Sequence, residues 1–405
     1  MKANLIEEDS STLPSSLPGW MLSVLFVVYQ LYLQLSMGAL MPPLMRDLSL
    51  NAMDISVLTS SFYIVYILMQ VPSGALLRKW GPDVLICLGA GCCALGCLLF
   101  AGSNTLLSAI SGRLLTGLGA SCAFVCSISI AATGFSKARV GLMIGLAETI
   151  MMVGTWAGIN GLSHALILFN WRSTMTFNAS LGCAISLLAC CLIPKQKTNK
   201  SHSDSYRDFV SIMKRAGLWW HGLYIGLMFS NVTVFASTWA IPFLIKEQGV
   251  THAQAVWEAS WTYLGVALAS PFAGLLQRFN RNLLVCYGLS AMLALVFLIS
   301  LLFVKHMNPG LGCIPFFILG IASSITVLNY EWVQTNTPRE YASMAVGFTN
   351  TVALLLVPVL HLIIGRQKIM SYPILYTMIA SMFLASMLVF IKQPRLTVSP
   401  RTSLS

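Results

Sequence analysis

The chain has 405 residues, of which 57% are hydrophobic and only 9% are charged, and its mean hydropathy is +0.77. Soluble domains carry about 25% charged residues, so this composition excludes a soluble globular protein and indicates a membrane protein. The formal net charge is +11, but the basic residues follow short loops rather than a basic helix or run. The charge therefore does not predict a nucleic-acid partner.

Apolar runs recur along the chain at roughly 20 residues each, the length that spans a bilayer as a helix. Residues 1–19 are polar and acidic and do not resemble a cleavable signal peptide. The predicted spans are 20–41, 55–77, 84–102, 106–134, 140–166, 174–193, 218–244, 256–276, 283–304, 311–330, 343–365 and 373–391. The sequence therefore predicts an all-α polytopic membrane protein with twelve transmembrane helices.

The longest polar segment, 194–217, divides these spans into two six-helix halves, 20–193 and 218–391, and a polar tail follows at 392–405. Most of the 24 basic residues fall on the side of the bundle that carries both termini. Because basic residues accumulate in cytoplasmic loops, both termini are expected in the cytoplasm. Segment 194–217 is then a flexible cytoplasmic linker.

Two pairs of segments indicate that the halves are repeats of one six-helix unit. Residues 72–86 align with 271–285 without a gap, and residues 136–150 align with 338–352 at nearly the same offset. Each pair lies at the same boundary of the corresponding spans. Parallel repeats of this kind are frequent in secondary transporters, which bind their solute between the halves near the midplane.

Three local patterns carry a resemblance to a known family. The segment between spans 2 and 3 contains Gly74 and Lys79 behind a Gln-Val-Pro sequence, and span 4 contains Arg-x-x-x-Gly-x-Gly beginning at Arg113. A glycine-rich span 5 is followed by Trp171-Arg172. On these residues, nearly the whole chain resembles the major facilitator superfamily, and in particular its bacterial solute importers.

The resemblance implies a monomeric multi-pass transporter of the bacterial inner membrane that works without a cofactor or metal. Its partners would be a small-molecule solute, the lipid bilayer and protons as the coupling ion. The family's cytoplasmic gating loop corresponds to Gly74, Arg78, Lys79, Gly81 and Asp83. Here Arg78 replaces the family's aspartate, and Asp83 is the nearest acid. Whether Asp83 takes over that latch role is left open.

Arg113 and Glu148 are the ionisable residues placed deepest in predicted spans, where charge is costly and usually functional. Counted from the loop between spans 4 and 5, they differ in depth by on the order of 20 Å, which is too far for a salt bridge. Arg113 is a candidate for a bidentate contact with an anionic group of the solute. The alternative is that backbone carbonyls neutralise it and that it holds span 4 against span 1.

Glu148 is the candidate proton-coupling residue, because a carboxylate in a low dielectric can exchange a proton near neutral pH. Its repeat counterpart, Asn350, cannot. The alternative is a Glu148 side chain that simply hydrogen-bonds a neighbouring helix. Ionisable residues nearer the span ends are expected to be solvated at the membrane interface: Glu258, Glu331, His164, His221 and His361.

Spans 1, 4, 7 and 10 line the cavity in the superfamily, and depth counting places Tyr63 near Arg113. The predicted substrate-binding residues are therefore Arg113, Gln30, Gln34, Tyr63, Asn231, Trp239 and Asn329. The favoured function is proton-coupled import of a small polar or anionic solute such as an organic acid, amino acid or short peptide. A drug or metabolite exporter is the alternative, although Ile159 replaces the proline typical of drug antiporters. A receptor is less favoured, and no nucleophile or metal-ligand motif indicates a membrane enzyme.

Overall fold

The computed structural model of the chain describes residues 13–193, 212–279, 283–303, 311–337, 339–367 and 372–391. Most of the predicted linker lies outside the described residues, as does the predicted tail. The division into a terminal segment, two halves, a linker and a tail therefore stays a prediction at these places.

Helices cover all twelve predicted spans within the described residues, and eleven helical stretches there are long and apolar enough to cross a membrane. The helices are Leu13–Leu35, Met37–Asp47, Ala52–Ala101, Leu106–Ala120, Ala123–Gly134, Lys137–Leu168, Trp171–Leu192, Ala216–Ser230, Asn231–Trp239, Ala240–Phe243, Leu244–Gln248, His252–Phe279, Leu283–Phe303, Cys313–Ser323, Thr326–Thr335, Arg339–Gly365 and Tyr372–Phe390. The predicted all-α polytopic fold is confirmed, and the twelve-span count agrees with it.

Spans 1, 4, 7 and 10 are each interrupted, which the hydropathy pattern did not predict. Span 1 breaks at Ser36, span 4 at Ser121, and span 10 at Ser324. Within a membrane, a freed backbone carbonyl needs a new donor. At each of these three breaks the serine hydroxyl donates to the carbonyl three residues earlier, at distances of 2.7–3.1 Å. Each serine hydroxyl therefore donates to a carbonyl at its own break.

Span 7 is interrupted differently, by two π-helical segments, Asn231–Trp239 and Leu244–Gln248. π-helical turns are rare and occur frequently at functional sites. Both predicted binding residues of this span, Asn231 and Trp239, lie in the first of them. Spans 2 and 3 meet at Gly81, whose φ of 85° turns the chain between them. A positive φ is readily adopted only by glycine.

Close helix contacts in both halves depend on glycine. A Cβ on Gly119 of span 4 would meet the backbone of Gly89 in span 3, and a Cβ on Gly320 of span 10 would meet that of Thr262 in span 8. Small residues allow such an approach in lipid, where packing drives helix association. Packing also explains Gly158 of span 5, where a Cβ would lie close to the Tyr32 side chain of span 1. It does not account for Gly145, which has open space around it.

The two halves contact each other at one end of the bundle, which we call the closed end. Gly38 of span 1 lies against the backbone of Ser237 in span 7. Asn160 of span 5 donates to the hydroxyl of Ser260 in span 8 at 2.9 Å. At the opposite end, which we call the open end, a Cβ on Gly145 or on its repeat counterpart Gly347 would meet no atom within 4 Å. The halves are therefore in close contact at the closed end.

Substituting Gly320 by alanine tests the glycine packing. The added methyl group would overlap the backbone of Thr262, and such overpacking costs about 1–3 kcal/mol. We expect Gly320→Ala to lower the thermal denaturation midpoint of the purified protein in detergent. Gly347→Ala, which enters open space, should leave the midpoint unchanged or slightly higher. Equal midpoints for the two variants would contradict the packing role.

Candidate functional site

Arg113 lies on span 4 and is almost fully buried, with 5% of its side chain exposed. Its Nη1 donates to the backbone carbonyl of Leu33 at 2.9 Å, and its guanidinium lies 4.8 Å from the ring centre of Phe62. Leu33 belongs to the last turn of the first helix of span 1, directly before the break at Ser36. The guanidinium therefore binds the negative end of a helix, where a cation is favoured.

The remaining donors of Arg113 have no hydrogen-bond partner among the residues that the structure describes. Within the described residues, its Nε and Nη2 are buried and have no hydrogen-bond partner. Leaving buried donors unpaired is costly, and more so for a charged group. Arg113 can therefore accept a further ligand at two adjacent nitrogens, the arrangement that binds a carboxylate in bidentate fashion.

The predicted binding residues of the N-terminal half lie near Arg113. Tyr63 is fully buried and interacts electrostatically with Arg113, and the side chain of Gln34 lies beside its hydroxyl group. Gln30, one helical turn from Gln34, is buried, and its Oε1 has no partner among the described residues. Spans 1, 2 and 4 thus bring polar groups together inside the bundle.

His361 of span 11 links this group to the C-terminal half. The Nε1 of Trp239 donates to Nδ1 of His361 at 2.9 Å, and the His361 ring lies 6.1 Å from that of Tyr63. An indole nitrogen only donates, so Nδ1 is an acceptor and the neutral imidazole carries its proton on Nε2. Arg113 is also near enough to interact electrostatically with His361.

The sequence predicts that His361 and His221 are solvated at the membrane interface. This prediction is wrong, because both side chains are fully buried inside the protein. No local signal marks His361. Its importance comes from Trp239, which lies more than a hundred residues away in the sequence and on a different span. Only the packing of spans 7 and 11 brings the two together.

Two of the predicted binding residues lie elsewhere. His221 Nδ1 donates to Asn329 Oδ1 at 2.7 Å, and the ring of His221 stacks on Trp332. Asn231 donates to the carbonyl of Met228, and its amide also lies 3.3 Å from the sulfur of Met382. Both asparagines therefore join helices within the C-terminal half, and the described contacts do not connect them to Arg113.

Glu148 and Arg113 line different cavities. Glu148 faces a cleft between spans 1, 4 and 5, whereas the small cavity beside Arg113 lies between spans 1, 3, 4 and 6. Tyr330 of span 10 interacts electrostatically with Glu148 from the opposite half and donates to Asn350 at 2.8 Å. Asn350, the repeat counterpart of Glu148, thus forms a hydrogen bond within its own half.

The predicted gating loop lies at the open end. Gly74 has open space around it, and Lys79 is exposed, 6.0 Å from the ring centre of Trp80. Asp83 is half-buried and interacts electrostatically with Cys126 of span 4 and Cys190 of span 6, within its own half. The side chain of Arg78 lies outside the described residues. A latch role for this loop stays a prediction.

The family model for the Major Facilitator Superfamily matches residues 21–360. The chain belongs to this superfamily. The resemblance first indicated by the Arg113 and Gly74 patterns is therefore confirmed.

Individual relatives of this superfamily member are distant. An uncharacterised Campylobacter jejuni protein is 27% identical over 210 residues, which are 49% of this chain and 63% of that protein. The riboflavin transporter RibZ of Clostridioides difficile is 27% identical over 165 residues, which are 40% of this chain and 36% of RibZ. A bacterial homologue of the human lysosomal transporter Spinster, in an inward-facing unoccupied conformation, has a TM-score of 0.72 at 12% identity. That alignment covers 93% of this chain and 96% of the homologue and shows a shared fold.

The Trp171-Arg172 pair of this superfamily member joins three spans at the closed end. Trp171 Nε1 donates to Asp47 at 2.9 Å, and Arg172 lies 4.1 Å from the Trp171 ring centre and donates to the carbonyl of Ala101. Hydrogen bonds from Arg46 and then from Trp171 lower the pKa of the Asp47 carboxyl. The network ties spans 1, 3 and 6 within one half.

The Asp47 network makes a prediction about acid stability. A carboxyl whose pKa is lower in the folded than in the unfolded protein stabilises the fold above the unfolded value, about 3.9, and loses this effect as the pH falls. Asp47→Asn should therefore lower the thermal midpoint at neutral pH. The difference between the variant and the unsubstituted protein should shrink below about pH 4. Thermal denaturation curves of both proteins should be measured across this pH range. A difference between the two midpoints that stayed constant as the pH fell would contradict the network.

Proposed function

We propose that the chain is a secondary transporter that imports a small polar or anionic solute, such as an organic acid, amino acid or short peptide, together with protons. The observation that carries the proposal is Arg113, a buried guanidinium with two unpaired nitrogens and no carboxylate among its described contacts. An incoming anion would supply the missing acceptors. Binding of this kind suits a solute taken from water into the bundle.

Alternating access accounts for the uneven contacts between the halves. The halves meet at the closed end through Gly38 and through Asn160, and Arg113 lies beside His361, at the interface of both halves. If both termini lie in the cytoplasm, the open end faces the cytoplasm. The structure then corresponds to an inward-open state of a monomer in the bacterial inner membrane.

Arg113→Lys tests the solute site. A lysine keeps the positive charge but cannot make a bidentate contact, and loss of a hydrogen bond to a charged group costs about 1.5–3 kcal/mol. We expect solute affinity to fall about 10- to 100-fold, measured as uptake into proteoliposomes against solute concentration. Arg172→Lys, at the closed end, is the matched control and should retain affinity. Full affinity in Arg113→Lys would refute the anion site.

Glu148→Gln tests proton coupling. A glutamine has nearly the shape of glutamic acid but exchanges no proton, so uptake should no longer follow an imposed pH gradient. Exchange of solute across the membrane without net flux should continue. Glu331→Gln removes a carboxylate from the other half and should leave coupling intact. Uptake by Glu148→Gln that still followed the pH gradient would exclude Glu148 as the coupling residue.

An exporter of the same fold is the second candidate. Uptake measured with the proton gradient imposed in each direction separates import from export, and a stabilisation screen of the purified protein with organic acids, amino acids and peptides addresses the solute. Riboflavin belongs in this screen because of the similarity to RibZ.

A further inference from the structure

His361 of span 11 has a buried donor that its own neighbours leave unpaired. Its Nδ1 accepts from the indole of Trp239, so the ring carries its proton on Nε2. This Nε2 has no hydrogen-bond partner among the described residues, although the backbone carbonyl of Thr233 lies near enough to the ring to interact with it. A protonated imidazole has no acceptor and could not receive the Trp239 bond. Trp239 therefore holds His361 as a neutral ring that donates through Nε2.

The unpaired polar atoms of Arg113, Tyr63 and His361 belong to one cluster, which joins the two halves. Within the described part of the chain, two nitrogens of Arg113, the Tyr63 hydroxyl and His361 Nε2 are buried without a hydrogen-bond partner. Arg113 interacts electrostatically with both other residues, whose rings lie 6.1 Å apart. Buried donors that stay unpaired in a low dielectric are costly. A ligand that supplies several acceptors would complete the cluster.

This cluster is rich in donors and positively charged. The titratable side chains that interact with its three members are, among the described residues, Tyr66, Cys97 and Tyr263. That described set contains no carboxylate. An ammonium group brought into the cluster would lie near the Arg113 guanidinium without a carboxylate to neutralise it, and like charges at close range repel each other. The cluster therefore favours an anion that has a further acceptor and no cationic group.

We propose that His361 binds the solute together with Arg113, and that the solute is a carboxylate with a second oxygen acceptor close by, such as a 2-hydroxy or 2-oxo acid. The inference rests on the proposed function, because Arg113 is there assigned the anionic group. Arg113 binds the carboxylate, and His361 donates through Nε2 to the neighbouring hydroxyl or carbonyl oxygen. Trp239 is a positioning residue, since its indole fixes the His361 ring.

Four small acids that differ at C2 test the substrate class. Lactate, pyruvate, alanine and propionate share a three-carbon carboxylate and carry at C2 a hydroxyl, a carbonyl, an ammonium or hydrogen alone. Calorimetry on the purified full-length chain in detergent should show lactate and pyruvate binding about 5- to 10-fold more tightly than propionate, the effect of one added hydrogen bond. Alanine should bind more weakly than propionate. Equal affinities for lactate and propionate, tighter binding of alanine, or no binding of lactate would overturn the inference.

Substitutions of His361 and Trp239 test the residues. His361→Phe keeps a planar ring without the donor, so lactate affinity should fall to that of propionate while propionate affinity stays unchanged. A folding defect would lower both. His361→Gln retains an N–H donor and should restore part of the preference for lactate. Trp239→Phe frees the His361 ring and should reduce the preference, again at constant propionate affinity. His221→Phe, at a fully buried histidine that pairs with Asn329, is the matched control and should keep the preference.

The inference and the proposed function fail on different results. If His361→Phe slows uptake but keeps the preference for lactate, the residue has a structural or gating role and the inference fails. If lactate and propionate bind equally and both lose affinity in Arg113→Lys, the inference fails and the anion site of the proposed function stands. If Arg113→Lys binds lactate as tightly as the unsubstituted chain, the proposed function fails, and the inference fails with it.

Discussion

The hydrogen bond from Arg113 to the carbonyl of Leu33 is the contact on which the site depends. A guanidinium inside a membrane-spanning bundle must find acceptors, and it finds one in the Leu33 carbonyl at the end of the first helix of span 1, which also accepts from the Ser36 hydroxyl at the break. The break in span 1 and the charge on span 4 therefore stabilise each other. One edge of the guanidinium is fixed in this way, and its other nitrogens remain available for a solute.

The interruptions of spans 1 and 7 lie next to the candidate site, because Leu33 of span 1 contacts Arg113 and Trp239 of span 7 contacts His361. In spans 1, 4 and 10 a serine hydroxyl donates to a carbonyl at the break. In span 7 the π-helical segment contains Trp239, which donates to His361. The closed end holds the halves together through tight contacts of small residues such as Gly38. Rocking of the halves would break these contacts and open the Arg113 site to the opposite side.

Arg113 and Glu148, the two candidate functional residues inside the bundle, lie in two different places. Arg113 lies with Tyr63 and His361 near the interface of the halves, whereas Glu148 lies in an apolar cleft of the N-terminal half. A buried cation and a carboxylate that formed a salt bridge would neutralise each other and bind little else. Because they line separate cavities, the two proposed roles, anion binding at Arg113 and proton exchange at Glu148, are compatible with each other.

The sequence by itself determined the membrane class, the twelve spans and the superfamily, because hydropathy and spaced glycines are local patterns that lipid imposes on any spanning helix. It also marked Arg113 and Glu148 and placed them at different depths, since intramembrane charge is rare. Only the tertiary structure joined Trp239 to His361, moved Asn231 and Asn329 into contacts within their own half, and revealed the breaks. Most of these features depend on contacts between side chains of spans that are far apart in the sequence. The hydrophobic periodicity of one span does not indicate which residues of a distant span its side chains contact.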